Sequence, residues 1–527
     1  MSTSLEFLLP ARLGAASLLA RAKQAFRHHA EPPRVLTRTW YDTFDWRLHA
    51  KASTLEGTRD GNIHTLVWRS LQGEILCPRL KLTAAPRFAW DLPPGPLQDL
   101  LAPILEMREL VPNFRVRSSV KTLRILNKDE KTVAYLVIEE NTLPRQKGLK
   151  SGKLDNRATV IPVKGFPKPA REVAKFLQEQ DLIPAPDDLR QTILSISGET
   201  PGSYSSKLDF TLDPAMRADE ASKIILHRLL DIMEQNEAGT RTGSDSEFLH
   251  DYRVAVRRTR SALSQIKAVF PKQIVDRYKT EFAWLGQITS PSRDLDVYLL
   301  TFDNYRDSLP ADMQADIEPL RDFLIRHQKL ENRALVKALD SARYRRLIKN
   351  WKTFLEQPVN ERSTLKNAGR PTLEVACERI WRIYRLAIRE GSAITPESPA
   401  DDLHELRKTC KKLRYLMEFF QSLFPAASIK ALIRTLKTLQ DNLGDFQDYE
   451  VQVLTLKKFS HQMVAEGKVP PDTLLAMGML IDGLERRQHQ TRDEFATRFN
   501  NFAMKENRSH FRNMFTGCAQ DTQEASL

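Results

Sequence analysis

The feature that most constrains this chain is an internal repeat. The segment HDYRVAVRRTRSALSQIKAVFP, starting at His250, and HELRKTCKKLRYLMEFFQSLFP, starting at His404, align without a gap at an offset of 154 residues. The offset pairs His250 with His404, Arg253 with Arg407, Arg257 with Lys411, Arg258 with Lys412, Arg260 with Arg414, Phe270 with Phe424 and Pro271 with Pro425. Carried further, it pairs Leu285 with Leu439, Asp294 with Asp448, Asp296 with Glu450 and Val297 with Val451. Self-similarity at one fixed offset predicts two copies of one multi-element unit.

Local spacing shows what the copies are made of. From about Ala218 to Phe511, apolar residues recur at three-and-four spacing between short breaks such as FPKQ, SPSR, GRPT and FPAAS, the pattern of packed helices. Ser244 with Glu247, and Ser398 with Asp401, each place an acid three residues after a serine, a helix-start signature that puts each histidine in the second turn. At 100° per residue, His404, Arg407, Lys408, Lys411, Lys412, Arg414 and Tyr415 share one side, and Leu406, Cys410, Leu413, Leu416, Met417 and Phe420 the other. The first copy sets His250, Arg253, Arg257, Arg258 and Arg260 against Tyr252, Val256, Leu263, Ile266 and Phe270, with Val254 falling on the basic side.

Like charges four residues apart destabilise a helix by about 0.2–0.5 kcal/mol each, so cations without interleaved acids call for an anionic partner. Phosphate suits the surface: arginine offers a planar fork of donors and lysine compact charge. Two such helices facing each other would form a groove or channel for an extended anion. A histidine beside that anion would have its cationic form favoured. The formal charge of +13 points to acidic partners without choosing among nucleic acid, anionic lipid and a phosphate polymer.

The first part of the chain has a different character. Up to about Ile196, TLVWRSL, LRIL and TVAYLVIEE read as strands, while AASLLARAKQAF and AREVAKFLQEQ have helical spacing. The expected organisation is an α+β domain over 1–196, a Gly/Ser/Pro-rich linker over 197–212, a helical domain over 213–515 with halves near 213–350 and 370–515, and a flexible tail over 516–527. Cys77, Cys377, Cys410 and Cys518 are scattered without CxxC spacing and the start lacks a secretory pattern, so a cytoplasmic, reducing setting without disulfides is expected. No apolar run is long enough to cross a membrane.

HDYRVAVRRTR, RDLDV at 293–297, HELRKTCKKLRY and LGDFQD at 443–448 stand in the order of the CHAD family, the conserved histidine α-helical domain, which residues 210–515 resemble. The resemblance implies two pseudo-symmetric four-helix bundles whose basic helices line a pore that binds inorganic polyphosphate, with Arg293 and Lys437 joining the lining. The expected role of that domain is non-catalytic, with granule targeting, length sensing and delivery of polyphosphate to the first domain all open.

The first domain resembles a degenerate CYTH fold, the β-barrel of the triphosphate tunnel enzymes, through WYDTFDWRLHAKASTLEGTRDG at 40–61. Here Ser2, Ser4 and Glu6 stand where the family has ExExK, Glu56 and Thr58 replace tunnel arginines, and the later acidic pair is absent near Thr159 and Ile161. Triphosphate hydrolysis needs carboxylates to hold a divalent ion and basic residues to hold substrate, and neither set is complete. Arg115, Arg117 and Lys121 remain as a residual basic lining.

Other readings bear on the same residues. A histidine can be a satisfied helix-start residue or a metal ligand, but no carboxylate or second histidine follows four residues after His250 or His404. Asp294, Asp296, Asp445 and Asp448 suit ion pairs with nearby cations better than a metal site, and Tyr415 either touches the anion or covers the core. No phosphate-binding glycine loop or nucleophile elbow occurs. The reading is therefore a polyphosphate-binding protein with no cofactor beyond a divalent cation accompanying the polymer. The alternatives are a triphosphatase or polyphosphatase acting through the first domain, and a nucleic-acid-binding protein using the same basic face.

Overall fold

The computed structural model describes residues 5–146, 150–467 and 469–517. Two compact units divide at Ser205/Ser206, inside the segment expected as a linker. Ser2, Ser4, Cys518 and the tail from 518 lie outside the described residues.

In the first unit the elements run β1 (Leu5–Leu8), α1 (Ala15–Ala25), β2 (His28–Ala30), β3 (Arg34–Asp42), α2 (Arg47–Ala50), β4 (Ser53–Asp60), β5 (Ile63–Ser70), β6 (Leu80–Leu82), α3 (Pro96–Leu105), β7 (Val111–Leu126), β8 (Thr132–Leu143), β9 (Gly152–Lys153), β10 (Arg157–Pro162), α4 (Pro167–Glu179), β11 (Ile183–Pro184) and α5 (Leu189–Ser197). The strands pair antiparallel in the order β11-β1-β10-β8-β7-β3-β4-β5-β6, with β2 on β7 and β9 on β8. The strand-like segments read from the sequence became β5, β7 and β8, and the helical ones α1 and α4. Three apolar clusters cover different parts of the sheet: one gathers α1 and α4 against β8 and β10, one packs α3 on β4 and β5, and one packs Trp40 and Phe114 beside α5. The period of two therefore leaves a polar stretch on each face between apolar ones.

The second unit is helical: α6 (Ala218–Thr242), α7 (Ser246–Gln265), α8 (Lys272–Asp307), α9 (Glu318–Leu339), α10 (Ala342–Glu356), α11 (Thr372–Ala393), α12 (Ala400–Phe419), α13 (Ala426–Ala465), α14 (Pro471–Phe502) and α15 (Lys505–Thr516). The repeat offset carries the first residues of α6, α7 and α8 onto those of α11, α12 and α13. Each half is a run of four helices with a fifth, α10 or α15, laid against the first of its own half. One apolar core is shared by both halves, and a second one lies between the outer parts of α8, α9, α13 and α14. Asp245, not Ser244, caps α7, its carboxylate accepting from the backbone of Glu247 and Phe248; α12 follows Pro399 without a side-chain cap.

Among the described residues no helix is long and apolar enough to cross a membrane. Cys77 and Cys410 are buried free thiols, whereas Cys377 is disulfide-bonded, which corrects the expectation that no disulfide forms.

Candidate anion-binding site

The two basic helices, α7 and α12, pack on each other. Their apolar stripes, including Tyr252, Val256 and Leu263 on one and Leu406, Leu413 and Leu416 on the other, are buried in the shared core. That burial fixes which side the cations occupy. Glu418 on α12 reaches across: it takes Arg258 of α7 at 2.8 Å and Arg414 of its own helix at 3.3 Å. The basic face is therefore not free of acids, and Arg258 and Arg414 hold the helix pair together. Arg407 pairs with Asp448 on α13 at 3.1 Å, and Lys408 pairs with Glu405.

Arg257, Arg260, Lys411, Lys412 and Lys437 form no ion pair among the described residues. Of this set, Lys411 lies close enough to Arg257 to feel its charge, and to Arg407 and Arg414 on its own helix. Burial, followed by repulsion from Arg407 and Arg257, pushes its ammonium down to about 8, and Asp448 only partly offsets the effect. Arg257 belongs to α7 and Arg407 to α12, so the two copies of the repeat bring their cations to one place.

The histidines differ in their partners. Arg293 on α8 donates from Nη2 to His250 Nδ1 at 3.0 Å and from Nη1 to the Ser246 carbonyl at 3.1 Å. A guanidinium cannot accept, so Nδ1 accepts and the proton of neutral His250 sits on Nε2. The offset places Gln447 where Arg293 stands. Its amide nitrogen donates to Glu450 at 3.1 Å, which turns the amide oxygen to His404 and makes His404 Nδ1 the donor. The two rings thus differ in the role of Nδ1, which accepts in His250 and donates in His404.

Three other expected site residues make contacts within the fold. Arg293 holds His250 Nδ1 and the Ser246 carbonyl. Arg253 donates to the Gly286 carbonyl and to the hydroxyls of Thr289 and Ser290 at 2.9–3.1 Å, so it ties α7 to α8. Burial holds its guanidinium below the usual range, with Asp294 opposing. Tyr415 is 3% exposed within the core and stacks on Phe419, which resolves its two readings in favour of core cover. Asp296 accepts from Gln328 at 3.0 Å, and no group of three or more potential metal ligands occurs among the described residues.

A neighbouring cation group was missed. Burial lowers the Lys267 ammonium, and repulsion from Arg379, Arg382, Lys279 and Lys412 lowers it further. Arg379 is buried and donates to the Gln265 carbonyl at 2.7 Å, which holds it at the end of α7. These residues come from α8, α11, α12 and the segment after α7, and neither helical spacing nor the repeat links them.

In the first unit, strand register puts Glu6, Arg38, Glu56, Thr58, Glu139 and Arg157 on one face of the sheet. Its cations are already compensated: Arg38 makes a two-pronged contact with Glu139 and lies 3.8 Å from Glu56, and Arg157 meets Glu6 at 2.9 Å. Arg115, Arg117 and Lys121 point from the opposite face, so they cannot add to this lining, and Lys121 pairs with Glu140 at 3.0 Å.

Comparison with known proteins adds the following. The CHAD domain family model matches residues 224–457. An uncharacterized protein of Mycobacterium tuberculosis (strain CDC 1551 / Oshkosh), MT2285, is 23% identical over 292 residues, which is 53% of this chain and 54% of that protein. The chain thus spans about half the length of the curated relatives it matches. The CHAD domain of the plant Ricinus communis is 24% identical with a TM-score of 0.46, over 55% of this chain and 94% of that one. HpAC1 from Hippeastrum, described as having a dominant triphosphatase activity, is 13% identical with a TM-score of 0.27, over 38% of this chain and 99% of that one. The span matched by the family model contains both histidine helices and both acidic segments that follow them, and the helical unit accordingly carries a CHAD domain at residues 224–457.

Proposed function

We propose that the helical unit binds inorganic polyphosphate, without turning it over, on the surface where α7 and α12 meet. The observation that carries this reading is Lys411, whose charge is opposed by burial and by Arg407 and Arg257 from both copies of the repeat. A folded protein holding like charges together in this way is stabilised by any ligand that brings the missing negative charge. A linear polyanion does so at several cations at once and releases its condensed counterions, which gives binding a steep salt dependence. Arg257, Arg260, Lys411 and Lys412 are the contacts of this reading; Arg258, Arg414 and Arg253 are its scaffold. Catalysis by the first unit gains little support, because its facing arginines are occupied by its own carboxylates.

The test is calorimetric titration with long-chain polyphosphate at physiological salt, with and without Mg²⁺, beside RNA of matched charge and an assay of phosphate release. Saturable binding that favours polyphosphate, without release, supports a reader or targeting role. Release of phosphate would restore the enzyme reading, and equal binding of RNA would reduce the claim to general polyanion affinity.

A further inference from the structure

The first unit carries a cavity on the sheet face opposite the Arg38–Glu139 contact. It has a volume of 480 Å³ and is walled by β3, β4, β5, β7 and residues 83–85. Strand register builds it. Thr39 lies across from Gly57 on β4 and Arg115 on β7, Thr37 lies across from Arg59, and Arg59 lies across from His64 on β5. Tyr41 continues the row along β3 and also lines the cavity.

The floor is shaped by a missing side chain. A Cβ on Gly57 would come within 2.7 Å of His64 Cε1 and 2.8 Å of Tyr41 Cε2, so only glycine lets both rings settle over β4. Tyr41, His64 and Thr39 are each 6–7% exposed, and Tyr41 Oη lies 3.4 Å from His64 Nε2. His64 Nδ1 is buried without a hydrogen-bond partner, and burial, then Arg59, disfavours the imidazolium. Above this neutral floor stand two exposed guanidiniums, Arg59 and Arg115, that form no ion pair among the described residues. A cavity of this volume falls in the range of small-molecule sites, and two arginine forks over hydroxyl donors suit a compact, multiply charged anion.

We propose that this cavity binds a small phosphomonoester, its phosphate held by Arg59 and Arg115 with the Thr37 and Thr39 hydroxyls, and its organic part laid against Tyr41 and residues 83–85. The site is independent of the basic helices and faces away from the Glu6 and Arg38 surface.

The experiment uses the full-length protein labelled with ¹⁵N-histidine, with the His64 signal assigned by its loss in His64→Gln. Glycerol 3-phosphate and inorganic phosphate are titrated separately. The expected result is a saturable change at His64 with both, tighter for the ester, and at least tenfold weaker in Arg59→Gln/Arg115→Gln. Thr39→Val, a near-isosteric change, should weaken binding severalfold while leaving the fold intact. Arg257→Gln/Lys411→Gln in the helical unit should leave the His64 titration unchanged, which separates this site from polyanion binding. A silent His64 signal, or equal affinity in the double glutamine variant, overturns the proposal. Binding of phosphate but not of the ester overturns the assignment of the ligand class.

Discussion

The Arg293 guanidinium donates to His250 Nδ1, whereas Gln447, at the matching position of the second copy, accepts from His404 Nδ1. One substitution between the copies thus gives the two histidines opposite hydrogen-bond polarity. Ring ¹⁵N spectra of the free protein at neutral pH should show His250 with a bare Nδ1 and His404 with a protonated one. Arg293→Gln should move the His250 pattern toward that of His404 without changing the rest of the spectrum. Two histidines with the same pattern would refute the assignment.

Lys411 leads to a pH prediction with a definite sign. Its folded value, about 8, lies below its ordinary 10.5, so between these values the unfolded chain holds a proton that the folded one lacks. The penalty for its charge is fully present below pH 8 and fades as the pH rises toward 10.5. Lys411→Met should therefore stabilise the protein at pH 7, and the gain should shrink by pH 10. In a unit of this size each kcal/mol of relief corresponds to about 2 °C or less in Tm. If polyphosphate binds beside Lys411, binding near pH 9 should also take up protons, which calorimetry in buffers of different ionisation heat reads directly. A pH-independent effect of Lys411→Met would show that the amine is not held in an opposed state.

The unpaired cations should separate from the structural ones in salt dependence. Arg257→Gln/Lys412→Gln should weaken polyphosphate binding and reduce the slope of log affinity against log salt by about 0.7 for each phosphate that the variant no longer neutralises. Arg253→Gln should mainly lower the melting temperature, because it frees the Gly286 carbonyl and two hydroxyls. Weaker binding with an unchanged slope would place the polymer elsewhere.

Much of this was legible in the sequence, for identifiable reasons. The 154-residue offset survives because α6–α8 and α11–α13 pack in equivalent ways, and helical spacing correctly put Leu406, Leu413 and Leu416 on the buried side of α12. Tyr415 was placed with the cations because at 100° per residue it falls in the middle of their side, and only its packing against Phe419 in the shared core shows that it is buried. Glu418 escaped notice because its partner Arg258 is 160 residues away and its counterpart in the first copy is Ser264. Lys267 and Arg379 carry no local pattern; only the path of α7 past α11 brings them together. In the first unit, Gly57 and His64 look ordinary until strand pairing sets one ring over the other residue's missing side chain.

Gly391 offers a test of packing that does not involve charge. In a helix interior, glycine to alanine ordinarily stabilises by up to about 1 kcal/mol. Here an added Cβ would come within 2.0 Å of Phe499 Cε2, between α11 and α14, and Phe499 is itself buried. Gly391→Ala should therefore destabilise, by about 1–3 kcal/mol, as overpacked cores do. Phe499→Leu, which shortens the ring side, should recover part of that stability in the double variant. A stabilising Gly391→Ala would mean that the two helices stand further apart than this contact requires.

Glu418 distinguishes affinity from stability. It neutralises Arg258 and Arg414 and joins α7 to α12, with all three side chains between 16% and 24% exposed. Glu418→Gln keeps the shape but removes the charge, leaving two more guanidiniums beside Arg257 and Lys411. Stability should fall by about 1–3 kcal/mol, the usual worth of hydrogen bonds to charged groups in partly buried surroundings. Polyphosphate affinity at low salt should rise, because the polymer then meets two additional uncompensated cations, and the salt slope should steepen. Lower stability with lower affinity would mean that Glu418 serves binding by positioning its arginines, and that Arg258 and Arg414 contact the polymer only while Glu418 holds them in place.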